Sequence, residues 1–73
     1  MTKYDMETIM YALERCKENE RELCRNYVKL NPHNERQRQL DRDFIICGID
    51  TAWNTIHTLY KEKIFEKEPK KSA

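Results

Sequence analysis

The sequence predicts an all-α fold, an antiparallel two-helix hairpin that dimerises into a four-helix bundle. Three observations lead there. Apolar residues recur at three- and four-residue intervals along two long stretches, the spacing of one helix face. One Asn31-Pro32-His33-Asn34 segment interrupts them, and one Gly and two Pro in 73 residues are too few turn formers for an all-β chain. Hydrophobic residues are 38% of the chain and charged ones 37%, which suits helices with one wet face and leaves a lone hairpin short of apolar surface to bury.

The first helix is expected over residues 5–30, about 39 Å at the standard rise. Thr2 or Asp5 can cap its N-terminus by accepting a backbone N–H bond. Met6, Ile9, Leu13, Cys16, Leu23, Tyr27 and Leu30 fall on the two seam positions of a seven-residue repeat, with Met10 and Cys24 beside them and Glu20 the one interruption. Glu14 with Lys17, Glu18 with Arg21 and Glu22 with Arg25 sit three apart, which supports a solvated helix surface.

Pro32 cannot continue that helix and biases Asn31 away from helical angles. The turn therefore spans residues 31–34, and Asn34 with Gln37 has the spacing of a capping box for a second helix over residues 35–66. A link this short makes long helices antiparallel neighbours. In the second helix Ile45, Ile49, Ala52, Ile56 and Leu59 form one stripe, with Ile46, Trp53 and Tyr60 alongside, while Leu40, Phe44 and Cys47 form an upstream stripe displaced by about one residue. Gly48 lies where the stripes meet, a position for a break or a close helix contact, although one straight helix with two faces also satisfies the pattern. Residues 1–67 then make one helical hairpin domain, and residues 68–73, Glu-Pro-Lys-Lys-Ser-Ala, read as a disordered tail.

For a turn at residues 32 and 33, facing residue numbers sum to about 65. Ile9 should meet Ile56, Leu13 Ala52, Cys16 Ile49 and Met6 Leu59. That arrangement leaves Leu40, Phe44, Ile46, Trp53, Tyr60 and Tyr11 outside the seam as the expected partner or dimer interface, rich in the aromatic residues that dominate such contacts. A homodimer would use this surplus.

Charge excludes little and implies less. Fourteen basic residues stand against thirteen acidic ones, evenly divided about the turn, so neither nucleic acid nor an anionic membrane is indicated in bulk. The longest apolar run, Phe44 to Cys47, is too short to span a membrane. Three cysteines, an odd count without C-x-x-C spacing, and no signal-peptide pattern lead to the expectation of a cytoplasmic protein. The size suits a bacterial or phage accessory protein.

Each candidate site competes with a plainer reading. Glu20 should lie about one layer from Arg42 as a partly buried ion pair. Glu14, Glu18, Glu20, Glu22, Asp41 and Asp43 could be drawn together as a Mg²⁺ cluster, but most belong to the wet face beside basic neighbours, so no metal site is expected. Cys16 and Cys47 should stand at one level, where small-hydrophobe behaviour is favoured over a disulfide. His33 is expected in the turn and His57 on a polar face, neither with a nucleophile partner. Arg36, Arg38 and Arg42, with Gln37 and Gln39 beside them, are the possible nucleic-acid contacts, and interleaved Glu35, Asp41 and Asp43 oppose that use. Lys61, Lys63, Lys67, Lys70 and Lys71 cluster toward the end. No catalytic residue, cofactor or metal ligand is therefore expected. The sequence reads as a non-enzymatic protein-interaction module (adaptor, inhibitor or regulator) with an unknown protein partner; the alternative is a transcriptional regulator that binds nucleic acid.

Overall fold

Helix α1 begins at Lys3 because Thr2 and Asp5 close a reciprocal cap before it. The Asp5 amide donates to Thr2 Oγ1 at 3.1 Å, and the Thr2 amide donates to Asp5 Oδ2 at 3.1 Å. In the computed structural model, which describes residues 1–64, α1 runs Lys3–Leu30 and α2 runs Glu35–Lys61, with a single 3₁₀ turn over Pro32–Asn34 between them. The described residues are all-helical, with no sheet. None of their helices is long and apolar enough to cross a membrane.

The turn differs in detail from its sequence pattern. Asn31 closes α1: its amide donates to Tyr27 O and Val28 O at 2.9 and 3.3 Å, and its side-chain Nδ2 donates to Tyr27 O at 3.1 Å. Asn34 does not cap α2; its Nδ2 reaches back to the Tyr27 hydroxyl at 3.2 Å, and Gln37 donates to Asp41 at 3.0 Å instead of closing a box. The chain enters α2 straight from the 3₁₀ turn, so its first residues need no extended N-cap geometry. Helix α2 passes through Gly48 without a break, and a Cβ built there would meet nothing within 4 Å. That glycine costs the helix about 1 kcal/mol relative to alanine and relieves no contact inside the chain.

Helix α2 stops at Lys61, short of the expected residue 66. Lys63 takes the left-handed conformation at φ 57°, its amide donates to Tyr60 O at 3.1 Å, and the Ile64 amide donates to Leu59 O at 2.9 Å. These two bonds satisfy the last carbonyls in the pattern usually built around glycine. Helical periodicity in the side chains carries no trace of this backbone stop, which is why the pattern overran it. The expected tail at 68–73 lies outside the described residues.

The two helices pack as an antiparallel pair. Contacts across it join Lys3 to Tyr60, Lys17 to Asp50, Glu20 to Arg38 and Cys24 to Arg38, so facing numbers sum to between 58 and 67, the range the turn position implies. What differs is the rotation of each helix about its axis. Helix α1 turns Met6, Met10, Leu13, Lys17, Glu20, Cys24 and Val28 inward, and α2 turns in Arg42, Ile46, Ile49, Asp50, Trp53, Ile56 and Tyr60. Ala52 and Cys16, expected opposite Leu13 and Ile49, are exposed. Ile46, Trp53 and Tyr60, expected outside, are half-buried in the seam. In this rotation Lys17 meets Asp50 and Glu20 meets Arg38, while part of each apolar stripe lies off the contact line.

The rotation leaves a thin core. Met6 and Cys24, each 2% exposed, are the only fully buried apolar residues among those described. Replacing Met6 by Ala should cost about 2–5 kcal/mol in chemical denaturation, as for other buried methionines. Thr2→Ala should cost about 1 kcal/mol through loss of the cap, and Lys63→Gly should raise stability by about 0.5–1 kcal/mol by relieving the left-handed strain. The Thr2 backbone hydrogen bond holds the Asp5 carboxyl below the ordinary carboxylate range. The cap's contribution is thus complete above about pH 4 and is lost as pH falls through that lowered value, measurable as acid loss of helical circular dichroism that Asp5→Asn removes.

Candidate functional site

The polar groups of the seam are structural. Lys17 Nζ lies 2.7 Å from Asp50 Oδ1 and 3.2 Å from Glu14 Oε1, which satisfies a lysine whose side chain is only 14% exposed. The Asp50 hydrogen bond first, and the Glu14 bond second, raise the pKa of Lys17, so this lysine stays charged through the physiological range. Glu20, 9% exposed, pairs with Arg38 rather than the expected Arg42, Nη1 to Oε1 at 2.6 Å. Both atoms are buried, and their approach is a charge contact lying off the hydrogen-bond direction. The nearby carboxylate raises the Arg38 pKa still further. Such pairs fix register and rotation more than they add stability, because each charge gives up water to enter the seam.

The remaining sequence candidates are scattered. Arg42 is half-buried and bonded to its neighbour Asp43 at 3.0 and 3.2 Å, and Arg36 is exposed on α2. With Arg38 held by Glu20, the three arginines do not form one free basic surface. Among the described residues no group of three or more His, Cys, Asp or Glu stands close enough to hold a metal ion. Cys16 and Cys47 are exposed thiols, and Cys24 is buried with its Sγ 3.9 Å from Arg38 O. At 100° per residue Cys16 faces one side of the hairpin and Cys47 the outer back of α2, so they do not meet. His57 is not on a polar face; it stacks on Trp53, ring centroids 4.6 Å apart, at the seam edge. His57 also lines an open recess with Lys3, Tyr60, Lys61 and Lys63, where Lys3 Nζ sits 5.9 Å from the Tyr60 ring centroid. This cationic recess at the open end of the hairpin can attract anions but pairs no nucleophile with a base.

The expected interface set divides likewise. Ile46, Trp53 and Tyr60 are spent in the seam, Leu40 and Phe44 form a ridge on the outer back of α2, and Tyr11 is on the back of α1. The apolar surface that does hold together is a different one, exposed over most of its length and half-buried at Ile9 and Leu59. Taking the seam as the reference direction, Ile9, Ala12, Cys16, Leu23, Tyr27 and Leu30 lie 60–120° to one side on α1 (roughly, at the ideal helix angle). Ile45, Ala52 and Leu59 lie at a similar angle on α2, with Gly48 and Thr55 further round toward its outer back at roughly 130° and 150°. The helices are antiparallel, so these two offsets fall on the same flank. Leu23, Leu30 and Ile45 are 51%, 82% and 45% exposed there. No Asp, Glu, Lys, Arg or His interrupts the strip on α1 between Asp5 and Leu30, or on α2 between Asp41 and Leu59. The opposite flank carries exposed Glu7, Glu14, Glu18 and Arg25 on α1 and Asp43, Asn54 and Lys61 on α2. The heptad stripe legible on α1 is thus divided: Met6 and Leu13 enter the intrachain seam, and Cys16, Leu23, Tyr27 and Leu30 lie on the flank.

The seam pairs make a direct prediction. Glu20→Leu or Arg38→Leu alone should lower the unfolding midpoint more than the Glu20→Leu/Arg38→Leu double variant, since each single change leaves one buried charge without its partner. Compared with protein-family models, curated proteins and solved structures, the chain matches none of them.

Proposed function

We propose that this chain is a non-enzymatic protein-interaction module that self-associates and docks on protein through its apolar flank. One observation carries the reading: with two fully buried apolar residues among those described, the hairpin leaves Leu23, Leu30 and Ile45 in water on one flank, where Asp41 is the charge standing among them. A hairpin this poorly filled gains by covering that side with another polypeptide, since burial of each large aliphatic side chain is worth about 1.5–3 kcal/mol. The opposite flank, charged along both helices, stays solvated and keeps the assembly finite. Phe44, 77% exposed, and Leu40 on the outer back of α2 are the surface left for a further partner protein once the flank is covered. The engagement of Arg38 and Arg42 in ion pairs weighs against nucleic acid as the target.

Immobilised wild-type protein should retain soluble copies of itself or a lysate protein, and Leu23→Glu should reduce that retention at least about tenfold by placing a charge in the contact. Phe44→Ala should leave stability within about 0.5 kcal/mol of wild type while weakening capture of any partner bound at the outer ridge. Equal retention by wild type and Leu23→Glu would put the docking surface elsewhere.

A further inference from the structure

We infer that the occupant of the apolar flank is a second copy of this chain, packed about a two-fold axis that crosses the helices at Cys16 and Gly48 and leaves the two turns at opposite ends. The inference rests on the flank being a docking surface and adds which chain covers it and in what orientation. Area comes first. Two helices about 40 Å long and about 10 Å wide present roughly 800 Å², the amount each partner contributes to a stable interface of standard size.

Register supplies the orientation. Cys16 and Gly48 stand at one level of the hairpin, their numbers summing within the range of the observed cross-helix contacts. An axis across the helices at that level lays α1 antiparallel on α1 of the second copy, and α2 on α2. Ile9 then meets Leu23 of the second copy, twice by symmetry, and Ile45 meets small Ala52. Cys16 meets its own counterpart, and Gly48 does the same. Asp41 falls beside Thr55, Leu59 beside Gln37 and Asp5 beside Tyr27, while Glu20, level with Ala12, stays turned into its own seam on Arg38. The alternative axis, parallel to the helices, brings the turns together and sets α1 on α2 of the second copy. It would lay Leu23 on Asp41 and Leu59 on Asp5, desolvating carboxylates without partners.

Gly48 is an independent pointer. It is the chain's one glycine, sits mid-helix at the outer edge of this flank, and no side chain and no other element of the described residues comes within 4 Å of a Cβ built there. A helix-disfavouring residue with no intrachain purpose fits the place where two copies of α2 cross most closely.

The test combines oligomeric state with cross-linking of the full chain. Sedimentation equilibrium at about 50 μM should give a dimer. Diamide, which takes up the two protons and two electrons released as two thiols join, should convert it to a covalent dimer on a non-reducing gel. Cys47→Ser should leave that product unchanged and Cys16→Ser should abolish it. Gly48→Leu should weaken dimerisation at least about tenfold, whereas Gly48→Ala, tolerated by helix propensity, should keep the helices folded as judged by circular dichroism. A folded monomer at 50 μM overturns the inference, and if Leu23→Glu still loses capture in that case, the docking flank itself stands with a different occupant. A dimer that yields no Cys16 cross-link overturns the orientation, and one linked through Cys47 would place the contact on the outer back of α2.

Discussion

Paired charges meet across the seam in the rotation that the two helices adopt, and nearly every other feature follows from that rotation. Lys17 with Asp50, and Glu20 with Arg38, bridge the middle of the hairpin and its turn-proximal half at 2.7 and 2.6 Å. A methyl group tolerates a neighbour at many angles, but a half-buried ammonium or guanidinium must find its carboxylate. These pairs are made in the rotation the helices adopt, and a large turn of either helix about its axis would break them. Ion pairs of this kind specify geometry without adding much stability, which is consistent with a hairpin so sparsely filled between them.

That rotation has a cost, visible at the turn-proximal end of α1. Seating Glu20 and Cys24 inward brings Val28 toward the seam but pushes Leu23 and Leu30 out, where they are 51% and 82% exposed. On α2, Ile45 moves out as Ile46 moves in. Because the helices are antiparallel, both sets swing to the same side, and the molecule acquires an apolar flank and a charged one. A two-helix protein of this length buries too small a share of its surface to be comfortable alone. The asymmetry between flanks leaves one side on which another chain could help, and the proposed function rests on that asymmetry.

The capping arrangement has a similar logic on a smaller scale. The start of α1 is held by a reciprocal Thr2–Asp5 cap, whereas α2 enters from a 3₁₀ turn with Asn34 turned back toward Tyr27. Asn31 and Asn34 thus tie the turn to the last turn of α1 rather than to α2. The turn behaves as an extension of the first helix, which makes the approach of the second a matter of seam contacts.

Much of the architecture was legible in the residues alone. Two helical periodicities, a proline-asparagine turn and the shortness of that turn determined an antiparallel helix pair and its approximate register, because 3.6-residue spacing and chain connectivity are local properties. The heptad stripe on α1 was legible too, but not its partner, since a periodic stripe says that a face is apolar without saying what covers it. Which face looks inward was decided only in three dimensions, where Glu20 chose Arg38 over Arg42 and Lys17 found Asp50, contacts between residues far apart in the chain with no signature in either helix. The end of α2 at Lys61 is a local backbone event, a left-handed Lys63 closing the last carbonyls, that the side-chain pattern does not encode. Local spacing determines elements and order; the relative rotation of those elements depends on the sum of long-range contacts, and here the rotation that pairs the charges leaves Leu23, Leu30 and Ile45 exposed.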